Sequence, residues 1–82
     1  MSVQVRYFAA ARDAAGCAEE VWGDEGEVTV DELVVWLGVR HGEPLTRVLA
    51  RCSFLVGGRR AAPGAVVPSG AVVDVLPPFA GG

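Results

Sequence analysis

The sequence predicts one small α+β domain in which a single main helix packs on a mixed β-sheet, in the β-grasp layout. A chain of 82 residues has room for one hydrophobic core. Strand patterns stand near both ends of the chain, and a capped helix pattern lies between the second and third strands. Because the crossover between parallel strands is right-handed, these observations favour a sheet whose first and last strands run parallel at its centre.

Alternating apolar residues predict the strands. Val3, Val5 and Tyr7 recur at every second position, the pattern of a first strand with one face on a core. In the last strand, Val73 and Val75 alternate in the same way. The other predicted strands cover residues 17–22 and 53–56, and the last covers residues 71–76. Turn signals between them are Gly57-Gly58, Pro63-Gly64 and Pro68-Ser69-Gly70.

A capping box predicts where the main helix begins. Thr29 is followed three residues later by Glu32, the spacing at which each side chain bonds the other residue's backbone N–H. Four apolar residues then share one helical face: Val30, Leu33, Val34 and Leu37. Gly42 is the expected left-handed cap after about twelve residues. Gly38 costs a helix about 1 kcal/mol relative to alanine, so we expect a close approach or a weak helix end there.

Two shorter segments flank this helix. Residues 9–16 form an alanine-rich link with about one helical turn, ending at Gly16. Pro44 breaks the main helix, and residues 45–50 are expected to form another short turn. We expect this turn to cover the far side of the main helix, with Leu45, Val48 and Leu49 over Val35 and Val39.

Charge and composition exclude several classes of function. Seven arginines, no lysine and ten acidic residues give a formal net charge of −3. This balance argues against nucleic-acid binding, and the lack of lysine excludes Schiff-base and P-loop lysine chemistry. The apolar run at 33–39 is far shorter than the roughly 18 residues needed to span a membrane. The start of the chain has no secretion-signal pattern, so we expect a cytoplasmic protein.

The cysteines and the single histidine have plain structural interpretations. Cys17 and Cys52 are expected to be reduced, partly buried thiols, although the sequence does not say whether either reacts. With no Cys-x-x-Cys pair and one histidine, the sequence offers too few ligands for a zinc site, so no metal is expected. His41 is expected to be a packed histidine or a partner of the helix dipole. A catalytic pair of Cys52 and His41 would need a third, orienting group.

The last residues point to chemistry at the chain end. Pro77-Pro78 cannot continue a strand, so we divide the chain into a domain, 1–78, and a flexible tail, 79–82. Gly81 and Gly82 carry no side chain, which suits a segment that threads a narrow tunnel in another protein. A carboxylate there becomes reactive once it is joined to AMP, because AMP is a good leaving group.

Strand facing adds a second feature beside the tail. If Val5 and Val75 face the core, Phe8 and Leu76 project from the opposite face, which should be polar. In a parallel pair both residues lie at the tail-proximal end. Together with Phe79 they would form an exposed apolar patch, the usual mark of a partner site, unless a loop covers it.

Three segments resemble the ubiquitin-like sulfur-carrier family (MoaD/ThiS), in particular its molybdopterin synthase small-subunit branch. They are the Val-x-Val-x-Tyr-Phe-Ala-x-x-Arg start (3–12), the helix from Thr29, and the strand from Gly70 into Pro77-Pro78-Phe79-Ala80-Gly81-Gly82. The resemblance covers nearly the whole chain, and the Pro-Pro-x-x-Gly-Gly ending is its most specific element. The sequence departs from it at Gly57-Gly58 and at Arg59-Arg60.

The resemblance implies a cycle of loading and delivery. An E1-like adenylyltransferase uses ATP and magnesium to adenylate the Gly82 carboxylate, and a sulfurtransferase or cysteine desulfurase supplies sulfur to form a thiocarboxylate. The large subunit of molybdopterin synthase then passes this sulfur to cyclic pyranopterin monophosphate. The chain itself binds no cofactor and is a co-substrate more than an enzyme. The implied threading residues are Phe79, Ala80 and Gly81, and the implied docking residues are Phe8, Leu76, Phe79 and Arg60.

Other functions fit the same residues. The acceptor pathway could be that of thiamine, cysteine or another sulfur metabolite. The Gly-Gly end also suits a covalent modifier of protein lysines, and the fold suits a non-covalent interaction module. Arg59 and Arg60 are either a solvated hairpin or a pair that meets acidic groups on a partner.

Overall fold

Ten secondary-structure elements follow one another along residues 2–23 and 27–78, the parts of the chain that the computed structural model describes. Their order is β1 (Ser2–Tyr7), α1 (Ala9–Ala15), β2 (Glu19–Gly23), β3 (Val28–Thr29), α2 (Val30–His41), α3 (Glu43–Leu49), β4 (Ser53–Val56), β5 (Arg59–Arg60), β6 (Val66–Val67) and β7 (Val72–Leu76).

The main sheet has the strand order β2-β1-β7-β4-β5, and β3 pairs with β6 in a separate two-stranded sheet. Strands β1 and β7 are parallel, with Tyr7 opposite Val75, whereas β2 and β4 run antiparallel to their neighbours β1 and β7. The predicted β-grasp layout is therefore confirmed, including the parallel pairing of the first and last strands inside the sheet.

The core lies between this sheet and the helices. The inward residues of β1 and β7 are buried as predicted, with Val5, Val73 and Val75 fully inaccessible to solvent. Helix α2 contributes Leu33 and Leu37 to the same cluster. These branched side chains fill the space between the two layers, which is how one helix and one sheet stabilise a chain of this size.

The ends of α2 are formed largely as predicted. Thr29 Oγ1 accepts from the Glu32 N–H at 3.2 Å, and a Glu32 carboxylate oxygen accepts from the Thr29 N–H at 2.9 Å, which completes the capping box. Gly42 follows the helix at φ 94° and ψ −173°. Its φ is positive, as a glycine cap allows, but its ψ lies outside the left-handed helical region that we predicted.

The region after α2 is more helical than predicted. Pro44 stands in the first turn of the seven-residue helix α3, where a missing backbone N–H costs nothing. The alanine-rich link is likewise a seven-residue helix, α1, and it ends at Gly16 with φ 77°. The predicted strand over 17–22 begins two residues later, at Glu19.

One packing prediction is wrong. Val35 and Val39 are 66% and 80% exposed, so the segment after Pro44 does not cover them. Instead α3 buries Leu45 and Leu49 in the main core. The reason is Gly38: a Cβ atom there would lie 2.6 Å from Thr46 Oγ1, so α3 crosses α2 at the glycine face, roughly 100° around the helix from Val39. The close approach expected at Gly38 is confirmed.

Glu20 joins β1, β2 and α2 through polar contacts. The Tyr7 hydroxyl donates to its Oε2 at 2.6 Å, Arg40 Nε donates to its Oε1 at 2.8 Å, and His41 Nε2 contacts Oε2. The His41 ring stands edge-on to Tyr7, with the centroids 6.0 Å apart. His41 is therefore the packed histidine that the sequence predicts.

These contacts shift two pKa values. Burial alone would raise the pKa of Glu20, but the hydrogen bonds from Tyr7 and His41 and the charge of Arg40 outweigh it, so the pKa lies below its usual value. Burial and the hydrogen bond to Glu20 raise the pKa of the Tyr7 hydroxyl, which stays protonated as a donor.

We expect Gly38→Ala to lower the free energy of unfolding by about 1–3 kcal/mol, because the new methyl group collides with Thr46. In a Thr46→Ala background the same change should be neutral or should stabilise by up to about 1 kcal/mol, since alanine favours the helix. Urea unfolding of the four proteins in this double-mutant cycle measures the coupling. An equal loss in both backgrounds would contradict the close-approach explanation.

We expect Glu20→Gln to destabilise the protein by about 1–2 kcal/mol near neutral pH, because its donors lose a charged acceptor. The folded-state pKa of Glu20 lies below its unfolded value of about 4.3. The stabilisation is therefore present above that value and is lost as the pH falls through the folded-state pKa. Unfolding free energies measured by urea titration should converge between native and variant proteins toward acid pH.

Glu19→Gln is the matched control for this change. Glu19 is exposed and accepts only from Gln4 Nε2 (3.1 Å) among the described contacts, so we expect a change within about 0.5 kcal/mol. A Glu20→Gln difference that stays constant down to acid pH would show that the carboxylate charge is not what stabilises the fold.

Candidate functional site at the base of the C-terminal tail

Phe8 and Leu76 lie side by side where β1 and β7 end. Tyr7 pairs with Val75, so the next residue of each strand falls at the same level on the outer face of the sheet. The Phe8 N–H donates to the Val75 carbonyl at 3.3 Å, which holds the two strand ends together. The Phe8 side chain is 39% exposed and Leu76 is half-buried, so the predicted outward facing of both residues is confirmed.

An ion pair between Arg6 and Asp74 lies on the same face of the sheet, beside Phe8. Arg6 donates from Nε to Asp74 Oδ1 at 2.6 Å and from a terminal nitrogen to Oδ2 at 3.0 Å, the two-pronged geometry that guanidinium and carboxylate favour. The Arg6 guanidinium also lies 5.9 Å from the Phe8 ring centroid. The hydrogen bond and the charge of Asp74 raise the pKa of Arg6. Arg6 thus links the tail-bearing strand to the aromatic side chain beside it.

A groove adjoins the tail base and was not predicted. It has a volume of about 590 Å³ and is lined by Ala10, Val48 and Ala50, by Arg47 and Arg51, and by Pro77 and Pro78. Arg47 lies on α3, where it donates to Glu43 at 2.8 Å, and Arg51 follows the end of that helix. Both arginines border a groove whose other lining residues are mainly apolar.

Arg60 lies apart from the tail base. It is exposed on the edge strand β5, opposite Leu55, which in turn lies opposite Asp74 of β7. The register therefore places Arg60 on the outer face, in the row of Arg6 and Asp74 but two strands from β7. It also lines a cleft of about 640 Å³ at the sheet edge, with Asp31 and Phe54 among its neighbours.

Both cysteines are free thiols, as the sequence predicts. Cys52 Sγ donates to the Val48 carbonyl at 3.2 Å, and burial raises its pKa. Burial and the charge of Glu20 raise the pKa of Cys17. From the sequence we considered Cys52 as the partner of His41. In the fold, Cys17 and Glu20 instead lie close to His41. The pair is distant in sequence, so only the fold reveals it.

The threading and sulfur-bearing residues that the sequence predicts lie outside the described residues. They are Phe79, Ala80, Gly81 and Gly82. No helix within 2–23 and 27–78 has the length and the apolar character needed to cross a membrane.

The fold has counterparts among solved structures. A protein from Pyrococcus furiosus assigned as molybdopterin converting factor subunit 1 is 29% identical, with a TM-score of 0.85 over 96% of this chain and 99% of that chain. SAMP1 from Haloferax volcanii is 25% identical, with a TM-score of 0.83 over the whole of both chains. A complex of molybdopterin-converting factor subunits 1 and 2 from Helicobacter pylori matches at 22% identity and a TM-score of 0.69, which shows the fold alone.

No curated protein matches the sequence significantly. The profile of the ThiS family, in contrast, matches residues 5–82, which include the second half of β1, all the later elements and the Gly-Gly end. The chain therefore belongs to the ThiS family, among the ubiquitin-like sulfur carriers of the ThiS/MoaD type.

Proposed function

We propose that this protein carries sulfur for molybdopterin synthesis on the carboxylate of Gly82. The observation that carries the proposal is the 29% identity, over almost the full length of both chains, to the Pyrococcus furiosus subunit 1 of molybdopterin converting factor. The Pro77-Pro78 segment and the Gly81-Gly82 end support the same branch of the family.

The proposed chemistry needs three partners. An E1-like adenylyltransferase directs a Gly82 carboxylate oxygen onto the α-phosphorus of ATP, with magnesium, and pyrophosphate leaves. A sulfurtransferase or cysteine desulfurase provides the sulfur as a persulfide, whose terminal sulfur displaces AMP to form an acyl disulfide. A thiol then reduces this disulfide and leaves a thiocarboxylate on Gly82. In the large subunit of molybdopterin synthase, that sulfur passes to cyclic pyranopterin monophosphate, and a carboxylate is regenerated.

The described residues explain how the protein serves such partners. Strand β7 is hydrogen-bonded on both sides, by β1 and β4, and leads directly into Pro77. Prolines limit backbone freedom, so the chain leaves the sheet in a restricted direction. The exposed ring of Phe8 beside Leu76 offers an apolar contact to a partner that receives the tail. In the sequence, the reacting group then follows two glycines, which carry no side chain.

We expect sulfur loading to raise the mass of the intact protein by about 16 Da, because one carboxylate oxygen is replaced by sulfur. The reaction contains the full chain, an E1-like adenylyltransferase, ATP, magnesium and sodium sulfide, and intact-protein mass spectrometry is the readout. A chain that lacks Gly81 and Gly82, and one with an alanine added after Gly82, should show no gain. Equal loading of these variants would contradict the assignment of Gly82.

We expect Phe8→Ala to weaken binding to the large subunit of molybdopterin synthase by about 10-fold or more, as loss of a central aromatic anchor does. Isothermal titration calorimetry measures the affinity. Val35→Ala is the matched control, since Val35 is 66% exposed on α2 and lies on the helix side, away from the tail base. Equal affinities of both variants would exclude the patch as a docking site.

A second function, covalent modification of proteins, has its own supporting observation. SAMP1 from Haloferax volcanii and a small archaeal modifier protein 1 from Methanosarcina acetivorans share the fold, with TM-scores of 0.83 and 0.82. In that function, lysines of other proteins attack the adenylated Gly82. Cells expressing an epitope-tagged chain distinguish the two functions: conjugates on a blot support a modifier, and restored growth of a molybdenum-cofactor mutant, but not a thiamine mutant, supports the sulfur carrier.

A further inference from the structure

We propose that Cys17, Glu20 and His41 form a zinc-binding site. One donor atom from each of these three side chains lies within 4.8 Å of the other two. The residues come from three places in the chain: the link before β2, β2 itself and the end of α2. Thiolate, carboxylate and imidazole are the three donor types that zinc takes in proteins, and three such ligands leave a fourth position open.

The distances suit a tetrahedral ion after small movements. Bonds of about 2.0–2.3 Å to zinc place neighbouring ligand atoms about 3.3–3.6 Å apart. His41 Nε2 and Glu20 Oε2 are already in contact, so they would separate slightly, and the Cys17 sulfur would move inward by no more than about 1 Å. Cys17 is half-buried in a short link, and its thiol makes no hydrogen bond to the rest of the described chain, so its side chain is available to turn.

Neighbouring groups already orient two of the ligands. The Tyr7 hydroxyl donates to Glu20, and the edge-on contact with the Tyr7 ring fixes the plane of His41. Arg40 donates to the other carboxylate oxygen, Oε1, whereas Oε2 accepts from Tyr7 and keeps a second lone pair for the ion. Such outer contacts hold metal ligands in place and tune their basicity.

The charges balance at this site. On binding, the Cys17 thiol releases one proton to solvent. The thiolate and the Glu20 carboxylate then neutralise the two positive charges of the ion. The nearby Arg40 is more than half exposed, so its charge is screened by water and opposes the ion weakly.

This site revises the expectation that the chain has too few zinc ligands. That expectation considered Cys-x-x-Cys pairs and histidines, whereas the fold adds Glu20 and brings one cysteine to the histidine. The strand register places the site at the end of the sheet where β1 and β7 lead into the tail. Arg6 of β1 lies opposite Glu19 of β2 on one side and opposite Asp74 of β7 on the other. It is on the helix side of the sheet, however, and does not depend on the sulfur-carrier proposal.

Cobalt substitution tests the site directly. We titrate the reduced full-length protein with Co²⁺ and record the near-ultraviolet band that arises from a thiolate–cobalt bond, then displace Co²⁺ with Zn²⁺ to obtain the zinc affinity. We expect one ion per chain and a thiolate–cobalt band. Cys52→Ser is the matched control and should keep both the single bound ion and the band. The Cys52 thiol lies elsewhere in the fold, where it is hydrogen-bonded to the Val48 carbonyl.

Cys17→Ser should abolish the band and weaken zinc binding by at least about 100-fold, more than the loss of an outer contact costs. His41→Gln should weaken binding to a similar degree, and far-ultraviolet circular dichroism confirms that each variant is folded. If His41→Gln does not fold, the Cys17→Ser and Cys52→Ser pair decides. A native protein without the thiolate–cobalt band, or a band that survives in Cys17→Ser, overturns the proposal.

Discussion

The parallel pairing of β1 with β7 is the interaction on which the rest of the structure depends. It joins residues 68 positions apart in sequence, as the two-pronged contact between Arg6 and Asp74 shows. This pairing places β7 inside the sheet. Helix α2 then lies across one face of the sheet, over the buried valines of β1 and β7. The base of the tail is therefore held by hydrogen bonds on both of its sides, while the chain beyond Pro78 begins from a rigid support.

Patterns that need only neighbouring residues predicted most of the fold. The alternation at Val3, Val5 and Tyr7 identified β1, and the spacing of Thr29 and Glu32 located the start of α2. Contacts between distant elements were harder to predict. Val35 and Val39 were expected to be covered because they are apolar, but apolar character alone does not say which face of α2 receives α3. The small size of Gly38 decides that, through its contact with another helix.

The candidate sites also divide into those that local sequence patterns predict and those that depend on contacts between distant elements. Phe8 and Leu76 were predicted because period-two facing follows directly from the strands. The groove beside Pro77 needs α1, α3 and the end of β7 together, and the meeting of Cys17 with His41 needs the end of α2 to pack on Tyr7. Neither arrangement has a local signal.

The position of β7 in the chain also affects how the protein is made. During synthesis β1 leaves the ribosome well before its parallel neighbour β7, with eight other elements between them. Until β7 follows, one edge of β1 lacks its hydrogen-bonding partner, whereas the β1–β2 and α2–α3 pairs join elements close in sequence. Loop-closure entropy makes such a late, long-range pairing slow. The sheet can therefore close only after β7 has been made, and until then its unpaired edge is open to aggregation.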